Sequence, residues 1–105
     1  MPFTFDYSEG NKNFNVSLAL ADGTEGGMYG YAAPVWSMIP DPSPAASLNP
    51  SGNIAGDMSL MVKGVPGIVT ISAVFNKTGA PSITVTDTVT ITGPVPDHAV
   101  IHMLP

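Results

Sequence analysis

The strongest alternation of hydrophobic and polar residues lies in the middle of the chain, on both sides of a short break at residues 64–67. Before the break, Met58, Leu60 and Val62 share one face of an extended segment. After it, residues 68–75 carry apolar side chains on both faces. The break has the length of a hairpin or of a tight corner. A strand with two apolar faces needs a second sheet to cover it, so the pattern predicts a β-sandwich.

Further alternating segments on either side of this centre predict additional strands and almost no helix. No stretch of a dozen residues keeps a helical period without an interrupting Gly or Pro. About seven short strands at this spacing are typical of an all-β sandwich that forms one domain. The strands predicted outside the centre cover residues 3–7, 13–20, 33–39 and 82–92, with a weaker strand and turn at 45–52.

The core is predicted from the inward-facing positions of these strands. Trp36 is the only Trp, and we expect it to anchor the two sheets; an exposed Trp used for binding is the alternative. Asp87 interrupts the apolar positions of the last strand between Val85 and Val89, which predicts a bulge or bend there. The expected core anchors are Trp36, Leu60, Val62, Val69, Ile71 and Phe75.

Composition and charge exclude several classes of function. Only 10% of the residues are charged and the formal net charge is −5, with three Lys and no Arg. Three lysines are too few to neutralise a nucleic-acid backbone or to bind an anionic membrane surface, so we expect neither kind of partner. Without Cys there is no disulfide framework and no thiol chemistry. The N-terminal residues resemble no signal peptide and no apolar run has transmembrane length, so we expect a soluble protein without membrane insertion.

Catalytic and metal-binding motifs are missing from the sequence. It contains no nucleophile elbow, no zinc-protease helix and no phosphate-binding loop. His98 and His102 have a spacing that could pair two ligands, but they lack a third ligand of the right type. The acidic residues are dispersed and form no calcium loop. We therefore expect no enzyme, no cofactor and no metal.

Two segments are candidates for contact with other molecules. Met28, Tyr29 and Tyr31 lie among glycines, and such a loop either binds a partner or folds back over the end of the sandwich. The other segment, residues 94–105, is too apolar for an unattached terminus. Its apolar residues either dock on this domain as an extra strand or add a strand to a neighbour's sheet. The binding residues expected there are Val100, Ile101, Met103 and Leu104.

Four segments, taken in order, resemble bacterial immunoglobulin-like (group 2-like) domains of adhesins and phage virion proteins. The resemblance covers roughly residues 13–93, is strongest at 60–75, and departs in the Pro-rich loop at 40–50. It implies a single immunoglobulin-like β-sandwich of about seven antiparallel strands over residues 1–93, with 94–105 as an extension, and no shared catalytic residues. The segments are Val35-Trp36-Ser37, Asn49-Pro50-Ser51-Gly52, residues 62–73 and residues 84–92.

These observations together predict a non-catalytic structural or assembly protein. The first candidate is a phage or prophage virion component, either a capsid-decorating or a tail-associated subunit. It would assemble in the host cytoplasm, because the chain starts at Met1 without a secretion signal. Its partners would be other protein subunits, in a homo- or hetero-oligomer. The alternative is an adhesin-type module at the cell surface that binds carbohydrate through Tyr29, Tyr31 and an exposed Trp36; a hydrolase would need a cleft lined by acids and His.

Overall fold

A computed structural model describes residues 2–50 and 56–105, which form two β-sheets. Apart from a short 3₁₀ helix at Tyr7–Glu9, the regular structure of these residues is all strand, which confirms the all-β prediction. One sheet has four strands in the order β1-β7-β6-β3, and the other has three in the order β2-β5-β4. The strands are β1 (Phe3–Asp6), β2 (Lys12–Asn15), β3 (Val35–Ile39), β4 (Ala46–Pro50), β5 (Asp57–Val62), β6 (Gly67–Phe75) and β7 (Ile83–Thr92).

Neighbouring strands pair antiparallel, with one exception. β1 runs parallel to β7, with Phe3 opposite Val89 and Asp6 opposite Thr92. This differs from the expectation of antiparallel strands throughout. The two strands come from opposite ends of the chain, so no tight turn joins them and fixes an antiparallel direction.

The break at residues 64–67 is a corner between the sheets, not a hairpin. β5 belongs to the three-stranded sheet and β6 to the four-stranded sheet. Lys63 donates its backbone N–H to the Ala45 carbonyl at 3.1 Å, which holds the crossing against the end of the core. A Cβ at Gly67 would lie only 2.8 Å from the Ala45 Cβ, so the close approach at this corner depends on glycine.

Both sheets contribute to one hydrophobic core, an arrangement compatible with a β-sandwich. Among the expected anchors, Leu60, Val69, Ile71 and Phe75 are buried. Trp36 and Val62 are half-buried and pack against the margin of the core. The central cluster consists of Phe5, Met38, Ala45, Ala46, Met58, Leu60, Val69, Ile71, Val89 and Ile91.

The second strand is shorter than the alternation over residues 13–20 predicts. Its ladder with β5 ends where Asn15 lies opposite Asp57. Val16 then donates to the Gly56 carbonyl at 2.9 Å, and the chain turns at Leu20, whose N–H donates to Thr24. Alternation alone carries no information on where the partner strand stops. The weak strand at 45–52 is β4, and the Ser51 and Gly52 positions of its predicted turn lie outside the described residues.

The predicted bulge at Asp87 is wrong. β7 pairs with β6 in unbroken register, and Asp87 lies directly opposite Ile71. On the same face, Val89 is fully buried on one side of Asp87, whereas Val85 on the other side is 45% exposed. The core therefore ends at Asp87, which is only half-buried and needs no bulge to leave the apolar interior.

We predict a large difference between two Leu-to-Ala substitutions. Leu60→Ala removes a side chain with no exposed surface from the core, so it should cost about 2–5 kcal/mol of unfolding free energy. Leu104→Ala is the matched control, because Leu104 is 84% exposed and its loss should change stability by less than about 0.5 kcal/mol. Urea denaturation followed by circular dichroism measures both, and equal costs would contradict the assigned core.

Candidate functional site: an apolar arm and an apolar groove

The last residues of the chain, 94–105, leave the sheets without forming a strand or helix; we call this segment the arm. Its large apolar side chains lie in solvent, whereas a folded domain normally covers such a concentration of them. The arm is therefore the main apolar segment that the domain leaves uncovered. The exposed fractions are 68% for Val95, 63% for Val100, 99% for Ile101, 97% for Met103 and 84% for Leu104.

The molecule is elongated, as a domain with a projecting arm would be. The protein measures 67 × 25 × 22 Å, with a radius of gyration of 17.8 Å. A compact chain of this length would have a radius of about 13 Å. Its accessible surface of 7087 Å² exceeds the roughly 5,500 Å² expected for a compact protein of this mass by about 1,500 Å². This excess is larger than the roughly 800 Å² that each partner contributes to a standard protein–protein interface.

Tyr7 fixes the point at which the arm leaves the domain. Its ring is half-buried against the core, and its hydroxyl donates a hydrogen bond to the Pro94 carbonyl at 2.5 Å. Gly93 lies under this ring, with a φ of +151°, and a Cβ there would overlap the ring atoms. Neither Pro94 nor Pro96 can donate a backbone hydrogen bond, so the β7 ladder does not continue into the arm.

The short helix that begins at Tyr7 is held by two carboxylates. Asp6 accepts from the Ser8 N–H and Glu9 accepts from the Asp6 N–H, both at 2.9 Å. The Ser8 backbone N–H lowers the pKa of Asp6. The Asp6 N–H, followed by Lys12 at 3.1 Å, lowers the pKa of Glu9. Both groups are therefore ionised at neutral pH and hold the turn that positions Tyr7.

We predict that Gly93→Ala destabilises the protein more than Gly79→Ala does. Gly79 also has a positive φ, +80°, but a Cβ there would meet nothing within 4 Å. Its substitution should cost about 1–2 kcal/mol for the backbone conformation alone. Gly93→Ala adds the displacement of the Tyr7 ring, typically a further 1–3 kcal/mol or so. Denaturant midpoints measure the difference, and equal costs would show that the ring contact contributes nothing.

An apolar groove of about 340 Å³ lies at the other end of β7 from the arm. The segment 16–20 forms one wall, and the first residues of β7 form another. None of the described residues that line it is charged, so the groove suits an apolar group. Four large apolar side chains of its lining are 40–45% exposed: Leu20, Tyr29, Ile83 and Val85.

The loop at residues 28–31 folds against the end of the sheet and forms part of this groove. Lys77 donates to the Tyr29 carbonyl at 3.0 Å, and its Nζ lies 5.4 Å from the centre of the Tyr31 ring. Tyr31 donates its backbone N–H to Met28 at 2.8 Å and closes the turn. Tyr29 and Tyr31 therefore line the groove, while Met28 lies beside it, 40% exposed.

The structure thus separates the sequence-predicted binding residues into two places. Tyr29 and Tyr31 belong to the groove, whereas Val100, Ile101, Met103 and Leu104 belong to the arm. Sequence reasoning missed three large, exposed apolar residues of the groove, because their alternation is the same as that of core positions. The signal that could have found two of them is Asp87, which marks the end of the core on their strand. The missed residues are Leu20, Ile83 and Val85.

Groups for metal binding are dispersed in the described parts of the chain. Over residues 2–50 and 56–105, no three His, Cys, Asp or Glu side chains approach closely enough to hold a metal ion. His98 lies in the exposed arm, with its Nδ1 3.5 Å from the Asp97 carboxylate. Within the described residues, no helix has the length and hydropathy needed to cross a bilayer.

Comparison with known proteins identifies no relative of this chain. No protein-family model matches this chain, and neither a curated protein nor a solved structure does. The arm and the groove are therefore the two features of the molecule that point to a function.

Proposed function

We propose that this protein is a non-catalytic assembly subunit, whose arm attaches a β-sandwich domain to another protein subunit. The exposed apolar arm is the observation that carries the proposal. Burying a side chain such as Ile101, Met103 or Leu104 is worth about 1.5–3 kcal/mol. The domain itself leaves these side chains in water, so that free energy is gained only when a partner covers them.

Low charge on the rest of the surface supports this proposal. Charged residues make up only 10% of the sequence, and the outer positions of β7 are threonines. Covering such a surface desolvates few ions. Copies that each carry a net charge of −5 still repel one another, and salt screens that repulsion.

The strand order supports an immunoglobulin-like topology for the domain. If the strands are lettered A to G in chain order, C, F and G lie in one sheet and B, E and D in the other. That division is the one found in immunoglobulin domains. Strand A differs by pairing with G, where the constant-type arrangement places it next to B.

Within this proposal, the protein is a phage or prophage virion component that decorates a capsid or belongs to a tail. The support is the resemblance of residues 13–93 to a class of domains found in virion proteins and adhesins. A particle built of many subunits assembles in the host cytoplasm and would supply partners for the arm. The localisation that follows is the virion.

We predict that the full chain self-associates or binds particles through its arm. Light scattering across a concentration series should show a mass that rises above the 10.8 kDa of one chain. Ile101→Asp should abolish the rise, because a carboxylate at a buried contact is strongly unfavourable. Ile39→Asp is the matched control, since Ile39 is 70% exposed on β3, which β6 separates from β7, and its substitution should leave association intact.

The proposal would be overturned by a chain that remains monomeric at every concentration and also fails to co-sediment with particles from a host that expresses it. Loss of association in both Ile variants would equally contradict a role specific to the arm. Circular dichroism of each variant shows whether the fold is retained.

Carbohydrate binding at a cell surface is the second candidate, favoured by the 40% exposure of Tyr29 at the edge of the groove. Trp36 would not take part, since it lies opposite Ala73 on the core side of β3. Its indole N–H is buried and has no hydrogen-bond partner within the described residues.

The two candidates predict different results in a titration with bacterial surface polysaccharides. An assembly subunit should show no saturable change in tyrosine and tryptophan fluorescence. A saturable change that disappears in Tyr29→Ala and persists in Ile101→Asp would favour the carbohydrate-binding alternative and contradict the assembly proposal.

A further inference from the structure

We propose that the arm of one copy docks into the groove of a second copy and adds a strand to the edge of β7. This inference rests on the proposed function and specifies the partner and the acceptor site. Three features of the structure carry it: the edge of β7, the pattern of side chains along the arm, and the positions of arm and groove at opposite ends of one strand.

The first residues of β7 offer an edge that a strand can join. β6 pairs with β7 along one side from Ile83 to Ile91. On the other side β1 pairs only from Val89 to Thr92. Residues 83–86 are paired by no other strand of the described chain on that side. They carry neither a charge nor a Pro, the devices that usually protect an edge from strand addition.

The arm has the side-chain pattern that such an edge requires. In an extended strand alternate side chains point to opposite faces, so Ile101 and Met103 share one side. Next to β7, that side would continue the row of Ile83 and Val85 that lines the groove. A volume of about 340 Å³ lies at the lower limit of small-molecule sites and suits a few apolar side chains.

The position of the arm favours docking on a second copy over docking on the arm's own domain. The arm begins after Thr92, whereas the groove lies at Ile83, about 30 Å away along the strand. β1 occupies the edge of β7 nearest the arm. Pro94 and Pro96 stiffen the first residues of the arm, and Tyr7 directs them away from the sheet.

The contact is heterologous, because the arm and the groove are different surfaces. Each copy would donate an arm at one end and accept an arm at the other, which generates a linear chain or a closed ring. A standard interface buries about 800 Å² on each partner. The surface by which this chain exceeds a compact protein, about 1,500 Å², is therefore sufficient for one arm contact.

Disulfide cross-linking tests this arrangement directly, because the natural chain has no Cys. Val85→Cys is mixed with Ile101→Cys or with Met103→Cys, one partner carrying a size tag so that a non-reducing gel resolves the mixed dimer. Val35→Cys is the matched acceptor control, since Val35 is 61% exposed on β3, at the opposite edge of the same sheet. Docking should make the Val85 reaction about tenfold or more faster than the Val35 reaction, because a docked thiol has a high effective concentration.

Each outcome has a defined meaning. A fast mixed dimer between Val85→Cys and Ile101→Cys, suppressed when the arm also carries Met103→Asp on the same side of the strand, supports the inference. Equal rates at positions 85 and 35 overturn it, while arm-dependent association in light scattering would leave the assembly proposal standing. A chain carrying both Val85→Cys and Ile101→Cys that cross-links within one molecule shows docking on its own domain, which also overturns the inference. If the chain stays monomeric but binds particles through its arm, the inference that a second copy accepts the arm is overturned. The assembly proposal is then retained.

Discussion

The pairing of β6 with β7 is the constraint on which the rest of the structure depends. The two strands have nine and ten residues, whereas the strands of the facing sheet have four to six. The shorter sheet therefore covers only part of the longer ladder. In the part of the ladder that the shorter sheet covers, Val69 and Val89 form the centre of the core. Beyond the shorter sheet, Ile83 and Val85 face the segment 16–20 and the loop at residues 28–31, so the groove results from this difference in length.

The other end of the same ladder determines where the arm begins. β1 lies beside the last residues of β7. Tyr7, immediately after β1, packs on Gly93 and donates a hydrogen bond to the Pro94 carbonyl. Prolines then prevent further pairing along the sheet. A continued ladder would have placed the arm's side chains on the domain, but this sequence directs them into solvent. Arm and groove are thus two consequences of how one pair of strands is covered at its two ends.

Local alternation was sufficient to find most strands and the central core residues, including Leu60 and Val69, because burial on one face repeats every second residue. It could not decide between hairpin and corner after Val62, since both connections have the same length. It put Ile83 and Val85 on the same face as the buried Val89 but could not show that they lie beyond the core, because alternation carries no information on how far the opposite sheet extends. The parallel β1–β7 pair was missed for a related reason: strand direction depends on contacts between the two ends of the chain.

The uncovered edge of β7 needs a physical reason, because an unprotected edge promotes aggregation. Other strands of this protein lie at edges too, but they are short, as β1 is with four residues. β7 is the longest strand and its first residues have no such protection. A charged residue at Thr84 or Thr86 would protect the edge at little cost, since both positions face solvent. Their neutrality, next to an apolar groove and in a chain with an apolar arm, is consistent with an edge that is covered by another strand in the assembled protein.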